Sequence, residues 1–222
     1  MQQVVTFGEA GASMIGTLRA LNDLSHNLDD IQSDASEKMG LLQRKHEATY
    51  RHCVRVAWLS EKLAQGMNLD AATSSMLVRG CFIHDLGKLL IPNSVLDNIN
   101  PLTGEQWALI RKHPEYGVEL LQNQSLLGAE IVQLILHHHE RWDGEGYPYG
   151  LKGEKIPLLA RACSVVDAFD SMLSPRPYRR KRTIEDAMFE LEKHAGTQFD
   201  PELVEKFIPM AGDVGRIYFT DH

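Results

Sequence analysis

Residues 76–92 read MLVRGCFIHDLGKLLIP and place a histidine, an aspartate and a lysine in a mostly apolar run. The run predicts a buried helix, in which a charged carboxylate is costly unless it is paired or coordinated. Asp85 could form a simple ion pair with Lys88, one helical turn further along. That interpretation does not account for the other histidines of the chain, so metal coordination by His84 and Asp85 is the competing hypothesis.

The sequence on either side of this run predicts helices, with no alternation of strands and helices, which is typical of an all-α protein. Asp70 is a suitable N-cap, and Thr103 with Gln106 fits a capping box. Residues 140–157 are rich in glycine and proline and predict an ordered loop. The predicted helices cover 14–31, 37–65, 70–90, 105–112, 114–122, 128–139, 157–173, 183–193 and 201–210, and a short strand is predicted over 214–219.

The composition limits the functional classes that the chain can belong to. Its 222 residues are 43% hydrophobic and 24% charged, as in a globular domain with a real core, where Trp58 and Trp107 are expected to lie. The net charge of -7 disfavours nonspecific binding to DNA. No apolar run predicts a membrane span and no export signal is evident, so we expect a cytoplasmic protein. Its three cysteines form no CxxC pair and are expected to be reduced, buried thiols; they are Cys53, Cys81 and Cys163.

Histidines are concentrated in the middle of the chain, where five of them lie between His84 and His139. His52 lies on the preceding helix, and Asp167 interrupts an otherwise apolar run. Any one of these residues is more often a hydrogen-bonded core residue than a ligand. Six sites from five helices that converge on one pocket are better explained by a metal centre of iron, manganese or zinc.

Such a set of residue types suits hydrolysis of a phosphate ester. A carboxylate such as Asp85 can bridge two cations about 4 Å apart, which activate a water as the nucleophile and offset charge on the phosphate. Lys88 could stabilise a phosphate oxygen or assist the leaving group, or it could form only a surface salt bridge.

Two motifs resemble a known family. Residues 84–88 (HDLGK) resemble the HD-x-G-K motif of HD phosphohydrolases, and residues 138–148 (HHERWDGEGYP) resemble the HHE-x-x-DG-x-GYP signature of HD-GYP domains. Further likeness runs from His52-x-x-Arg55 to Phe199-Asp200-Pro201 and covers roughly residues 45–210. The resemblance therefore divides the chain into an N-terminal helical extension, residues 1–44, and an HD-GYP domain, residues 45–222.

The resemblance implies an HD-type helical bundle around a di-metal centre, with Asp85 and Lys88 as catalytic residues. The implied metal ligands are His52, His84, Asp85, His113, His138, His139 and Asp167. The implied substrate-binding residues are Arg176 and Arg179 in a basic stretch and Gly146, Tyr147 and Pro148 in the glycine-rich loop. In this register His137 is not a ligand.

The family's usual substrate is cyclic di-GMP, which is linearised to pGpG and sometimes cut onward to GMP. Members with three metals often carry a glutamate where this chain has Ala48, and the adjacent Glu47 would be rotated by about 100° on a helix. We therefore expect two divalent ions, iron or manganese, and the same departure leaves complete hydrolysis to GMP in doubt.

Two alternatives remain open at this stage. The same centre could act on another cyclic dinucleotide or a nucleotide, or the domain could be a silent module that binds a nucleotide or a partner. The resemblance also leaves room for a regulatory protein partner or a homodimer.

Overall fold

The computed structural model describes residues 33–122, 128–174 and 182–214, together with Tyr218. The helix predicted over 14–31 lies outside the described residues, as do Arg176 and Arg179. Within the described part the chain is helical, and its only sheet-like contact is an isolated bridge between Ala195 and Phe199. The prediction of an all-α protein is confirmed.

Ten α-helices and three short 3-10 helices make up the described structure. The α-helices are α1 (Ser33–Lys45), α2 (Glu47–Gly66), α3 (Ala71–Ile83), α4 (Asn93–Leu96), α5 (Gly104–Ile110), α6 (His113–Leu121), α7 (Ala129–His137), α8 (Leu158–Leu173), α9 (Ile184–Lys193) and α10 (Pro201–Ala211). The 3-10 helices cover Leu86–Leu90, Gly153–Lys155 and Gly212–Val214.

The single helix predicted over 37–65 is wrong, because the chain forms two helices that break at His46. The ring of His46 caps α2: its Nδ1 accepts a hydrogen bond from the Thr49 amide at 3.2 Å, and its Nε2 lies 3.0 Å from the Asp97 carboxylate. A side chain that accepts a bond from the first-turn amide satisfies a donor that the helix itself leaves unpaired. The helical spacing of apolar residues continues across the break, because α1 and α2 bury their apolar residues in the same core.

The helix predicted over 70–90 begins correctly at the Asp70 N-cap but ends too late. The α-helix stops at Ile83, and the chain continues as a 3-10 helix from Leu86. At Gly87 an added Cβ would lie 1.9 Å from the carbonyl oxygen of His113. The backbone of this turn is therefore in direct contact with the backbone at the start of α6. The His84–Asp85 pair therefore lies at the end of a helix rather than within one.

The other local predictions have mixed outcomes. The capping box of Thr103 and Gln106 is confirmed. Trp107 is 51% exposed on α5, a helix with no buried residue, so its assignment to the core is wrong. The strand predicted over 214–219 is also wrong where the structure describes it, because Val214 ends a 3-10 helix and Tyr218 is helical.

The core lies around α8 and is covered by α2, α3, α7 and α10. Phe169 and Phe207 meet at its centre with their rings 5.0 Å apart in an edge-to-face arrangement. Helix α1 belongs to the same core, since its Met39 and Leu42 are fully buried. All three cysteines are buried and unpaired. No helix in the described part of the chain is long and apolar enough to cross a membrane.

Candidate metal centre

The predicted ligands come from separate helices and meet at one place. His52 lies on α2, His84 and Asp85 at the end of α3, His113 at the start of α6, His138 and His139 just after α7, and Asp167 on α8. Their ligand atoms form two groups, and within each group the atoms lie within 4.8 Å of one another. The groups are His52, His84 and Asp85, and His113, His138 and His139.

Asp85 belongs to the first group and also contacts the second. Its Oδ1 is 3.2 Å from Nε2 of His113, which belongs to the second group. Its Oδ2 is 3.6 Å from Nε2 of His84 and 3.7 Å from Nε2 of His52. Asp167 joins the first group through Oδ1, which is 3.0 Å from Nε2 of His52. One buried carboxylate thus faces both sets of imidazoles.

Local backbone contacts fix the orientation of three of the rings. In each, Nδ1 lies 2.7 Å from the carbonyl oxygen of the residue three positions earlier, and a hydrogen bond to that oxygen requires the proton on Nδ1. A neutral ring then carries a lone pair on Nε2, which points into the cluster. The three rings and their carbonyl partners are His84 with Cys81, His113 with Ile110, and His138 with Ile135.

The Nε2 atoms of His113 and His138 lie only 3.1 Å apart, and neither neutral ring has a proton to place between them. Burial lowers the pKa of both rings well below the usual value, so protonation does not relieve this contact near neutral pH. Nε2 of His84 and Oδ1 of Asp85 are buried and make no hydrogen bond within the described structure. These nitrogen and oxygen atoms have lone pairs that face one another with no proton between them. A bound cation would accept these lone pairs, so the residues present fit a metal.

His52 is oriented by Asp170 rather than by a backbone carbonyl. Nδ1 of His52 donates to Oδ2 of Asp170 at 2.7 Å, and Arg55 donates two hydrogen bonds to the same carboxylate at 2.6 and 3.0 Å. Burial alone would lower the pKa of His52, but Asp167 and Asp170 raise it to about 9. The sequence alone assigns no role to Asp170 and Arg55, although each follows a predicted ligand by three positions and so lies on the same helical face.

Lys88 donates a hydrogen bond from Nζ to Oδ2 of Asp85 at 2.6 Å. Burial would lower the pKa of Lys88, but the Asp85 carboxylate raises it. The turn that carries Lys88 is held by Lys45, which donates to the carbonyl oxygens of Leu89, at 2.6 Å, and Ile91. The simple ion pair considered from the sequence therefore exists, and it lies inside the cluster of histidines.

The glycine-rich loop closes over the second group. The buried Glu140 carboxylate accepts hydrogen bonds from the amides of Tyr149, at 2.8 Å, and Leu151, at 3.0 Å. An added Cβ on Gly146 would lie 2.4 Å from the amide nitrogen of Arg141, so only glycine fits there. This packing places the Tyr147 ring on His139, with centroids 4.8 Å apart and planes inclined by 25°.

A cavity of about 410 Å³ opens beside the cluster, between this loop and α8. His139 and Asp167 from the predicted ligands line it, together with Gly146 and Tyr147 from the loop, whereas Pro148 is not among the lining residues. The cavity thus connects the cluster with part of the predicted substrate-binding loop.

Two residues considered from the sequence lie apart from the cluster. Glu47 forms an ion pair with Arg51 at 2.5 Å, and its side chain is 59% exposed. It therefore does not take the place of the glutamate that three-metal members often carry at the position of Ala48. Nε2 of His137 lies 3.0 Å from the Gln133 amide oxygen, and His137 belongs to neither ligand group.

Comparisons with known proteins agree with this fold. A family model described as HD domain matches residues 37–203. A cyclic di-GMP phosphodiesterase of Thermotoga maritima is 34% identical over 86% of this chain and 52% of its own length. The 3'3'-cGAMP-specific phosphodiesterase 2 of Vibrio cholerae is 35% identical over 74% of this chain and 32% of its own length. A solved HDG"Y"P protein from Bdellovibrio bacteriovorus superposes with a TM-score of 0.63 at 19% identity, over 94% of this chain and 75% of that one, which supports the fold.

A helical bundle that gathers histidines and aspartates around a buried HD pair defines the class. The chain belongs to the HD domain family. Its resemblance to HD-GYP domains, inferred from the two motifs, is confirmed. The chain spans about half the length of the Thermotoga relative and about a third of the Vibrio relative.

Proposed function

We propose that this chain is a metal-dependent phosphodiesterase that hydrolyses cyclic di-GMP to linear pGpG. The observation that carries the proposal is the position of Asp85, whose two oxygens face two separate histidine groups. Lys88 donates a hydrogen bond to one of these oxygens, Oδ2. The name of the Thermotoga relative, a cyclic di-GMP phosphodiesterase, supports the choice of substrate.

Two divalent ions, iron or manganese, fit the donors present. His52, His84 and Asp167 would hold one ion and His113, His138 and His139 the other, with Asp85 shared. When bound, such a pair supplies an activated water and offsets the charge that develops on phosphate oxygens. Position 48 is an alanine, and the adjacent Glu47 is exposed and paired with Arg51, which favours two ions over three and pGpG over GMP as the main product.

The chain's own residues bind and orient the reacting groups. Asp85 connects the two ligand groups, because one of its oxygens contacts His113 of the second group and the other contacts His84 of the first. Lys88 is only partly buried, so its ammonium keeps donors free for a phosphate oxygen while Asp85 fixes its position. The loop around Tyr147 forms one wall of the cavity.

The test is metal analysis combined with product identification. Protein purified under reducing conditions and loaded with Fe²⁺ or Mn²⁺ should convert cyclic di-GMP to pGpG, as followed by chromatography. Replacing both His84 and Asp85 by alanine should abolish turnover and lower the bound metal. Full activity in that double variant would refute the assignment, and a stoichiometry of three metals would refute the two-ion centre.

A second candidate substrate is 3'3'-cGAMP. The Vibrio relative, named as specific for that molecule, is as similar to this chain as the Thermotoga relative is. Parallel measurement of kcat/KM for cyclic di-GMP, 3'3'-cGAMP and cyclic di-AMP separates these assignments. Bound metal without turnover of any of the three would favour the silent binding module.

A further inference from the structure

Arg111 lines the same cavity as the predicted metal ligands His139 and Asp167. It follows the last residue of α5, lies on the surface, and lines the cavity with its side chain. Its guanidinium carbon lies 5.2 Å from the centre of the Tyr147 ring, in a cation–π contact. Tyr147 in turn stacks on the predicted metal ligand His139.

Two arginines line the cavity, Arg111 and Arg141, and only Arg141 forms an ion pair within the described residues. Arg141 donates to both oxygens of Asp143, one of them at 3.1 Å. The carboxylate of Glu140 is occupied by two backbone amides. Within the described residues Arg111 makes no ion pair, so the full charge of its guanidinium is available to an anion that enters the cavity.

The position of Arg111 relative to the metal centre limits which anion it can meet. Since 4.8 Å separates the His139 and Tyr147 ring centres and 5.2 Å separates Tyr147 from the guanidinium, Arg111 lies at most about 10 Å from the His139 ring. A cyclic dinucleotide holds two phosphodiesters rigidly in one macrocycle. With one phosphodiester at the predicted metal site, the covalent ring keeps the other within reach of the residues that line the cavity.

We propose that Arg111 binds the second phosphodiester of the cyclic dinucleotide, the one that is not cleaved. The inference rests on the proposed function and adds a binding residue outside the GYP loop and outside the basic stretch that contains Arg176 and Arg179. A guanidinium suits this role because it donates two parallel hydrogen bonds to a phosphate. The role would make Arg111 selective for substrates with two phosphates.

The test compares substrates with two phosphodiesters and with one. Cyclic di-GMP has two, whereas bis(p-nitrophenyl) phosphate has one and no base. Arg111→Ala should raise KM for cyclic di-GMP by about tenfold to a hundredfold, the loss expected for a charge-assisted hydrogen bond. Its kcat for cyclic di-GMP, and its hydrolysis of bis(p-nitrophenyl) phosphate, should change less than about threefold, because Arg111 touches neither the metals nor the cleaved bond.

Lys112→Ala is the matched control, because it removes the same charge one residue further on, from an exposed side chain that does not line the cavity. It should leave both activities unchanged, and neither variant should lower the melting temperature by more than about 4 °C, the most that loss of an exposed cation–π contact costs in a chain of this size. Arg111→Lys should recover part of the lost affinity, since lysine restores the charge without the paired donors. An unchanged KM in Arg111→Ala, or an equal loss on both substrates, would overturn the inference.

Binding without turnover gives an independent measurement. Isothermal titration of cyclic di-GMP into metal-stripped protein should show weaker binding by Arg111→Ala than by wild type, with Lys112→Ala unaffected. If wild type hydrolyses neither substrate, the proposed function fails, yet this titration still decides the role of Arg111. Equal affinities of wild type and Arg111→Ala in the titration would overturn that role.

Discussion

His52 and Asp170 are joined by a 2.7 Å hydrogen bond from the ring Nδ1 to a carboxylate oxygen, across the interface of α2 and α8. The bond fixes the tautomer of His52, so that its other nitrogen faces Asp85 and Asp167. A carboxylate behind a ligating histidine also increases the basicity of the ring. Asp170 therefore orients a predicted metal ligand without belonging to either ligand group.

Replacing Asp170 by asparagine should weaken metal binding. Loss of such a partner typically lowers metal affinity by about tenfold to a hundredfold. The same change leaves the buried Arg55 guanidinium without a charged partner, so the free energy of unfolding should fall by about 3–5 kcal/mol. Metal titration and urea denaturation of Asp170→Asn measure the two effects separately.

Asp200→Asn is the control for Asp170→Asn. Asp200 also pairs with a partly buried arginine, Arg161, and caps α10, but it contacts none of the predicted ligands. It should lower stability without lowering metal affinity. Equal metal affinities in the two variants would show that Asp170 acts only on stability.

Lys88→Met should reduce turnover while the metal stays bound. The substitution keeps most of the aliphatic stem and removes the ammonium that donates to Asp85. Removing one donor to a developing phosphate charge typically costs about 10²–10³ in kcat. Stopped assays under saturating substrate, with metal content measured on the same samples, test this; a loss of metal in proportion to activity would assign Lys88 a structural role instead.

Gly87→Ala should destabilise the protein and disrupt the metal centre together. An added Cβ would lie 1.9 Å from the His113 carbonyl oxygen and 2.5 Å from the Gly117 amide nitrogen, and both are backbone atoms that move only with α6. Overpacking of this kind costs about 1–3 kcal/mol or more. Gly104→Ala is the control, because nothing lies within 4 Å of a Cβ there. A melting temperature of Gly87→Ala equal to that of Gly104→Ala would contradict the close approach.

Much of the fold and the ligand set followed from the sequence because each rests on local signals. The Asp70 N-cap and the capping box at Thr103 depend only on residues within one turn. The ordered series of motifs predicted seven ligands, and the structure brings these seven side chains together. Their assignment as ligands remains a prediction, as do the division of the chain at residue 45 and a regulatory partner or homodimer.

Features that depend on contacts distant in sequence could not be predicted. The break at His46 depends on Asp97, and the early end of α3 depends on backbone contact between Gly87 and α6. Hydropathy does not encode such contacts, and Trp107 lies on the surface although its apolar character favoured the core. The role of Asp170 could not be predicted either, because a carboxylate three residues after Asp167 could equally face solvent.

The stability of the metal-free protein should rise with pH between about 4 and 6.5. Burial lowers the pKa of His139 from 6.5 to about 4, so across this range the unfolded chain binds more protons than the folded chain, and acid favours unfolding. His52 has the opposite sign, because its pKa is raised to about 9: its contribution is complete below 6.5 and is lost as the pH rises from there toward 9. Urea midpoints of chelator-treated protein, measured from pH 4 to 9, should therefore pass through a maximum near neutrality. His139→Asn should flatten the acid side, by up to about 1.4 kcal/mol for each pH unit, and leave the alkaline side unchanged. His84, His113 and His138 also have pKa values lowered by burial and keep part of the acid slope, so an acid limb as steep in His139→Asn as in wild type would show that His139 does not contribute to it.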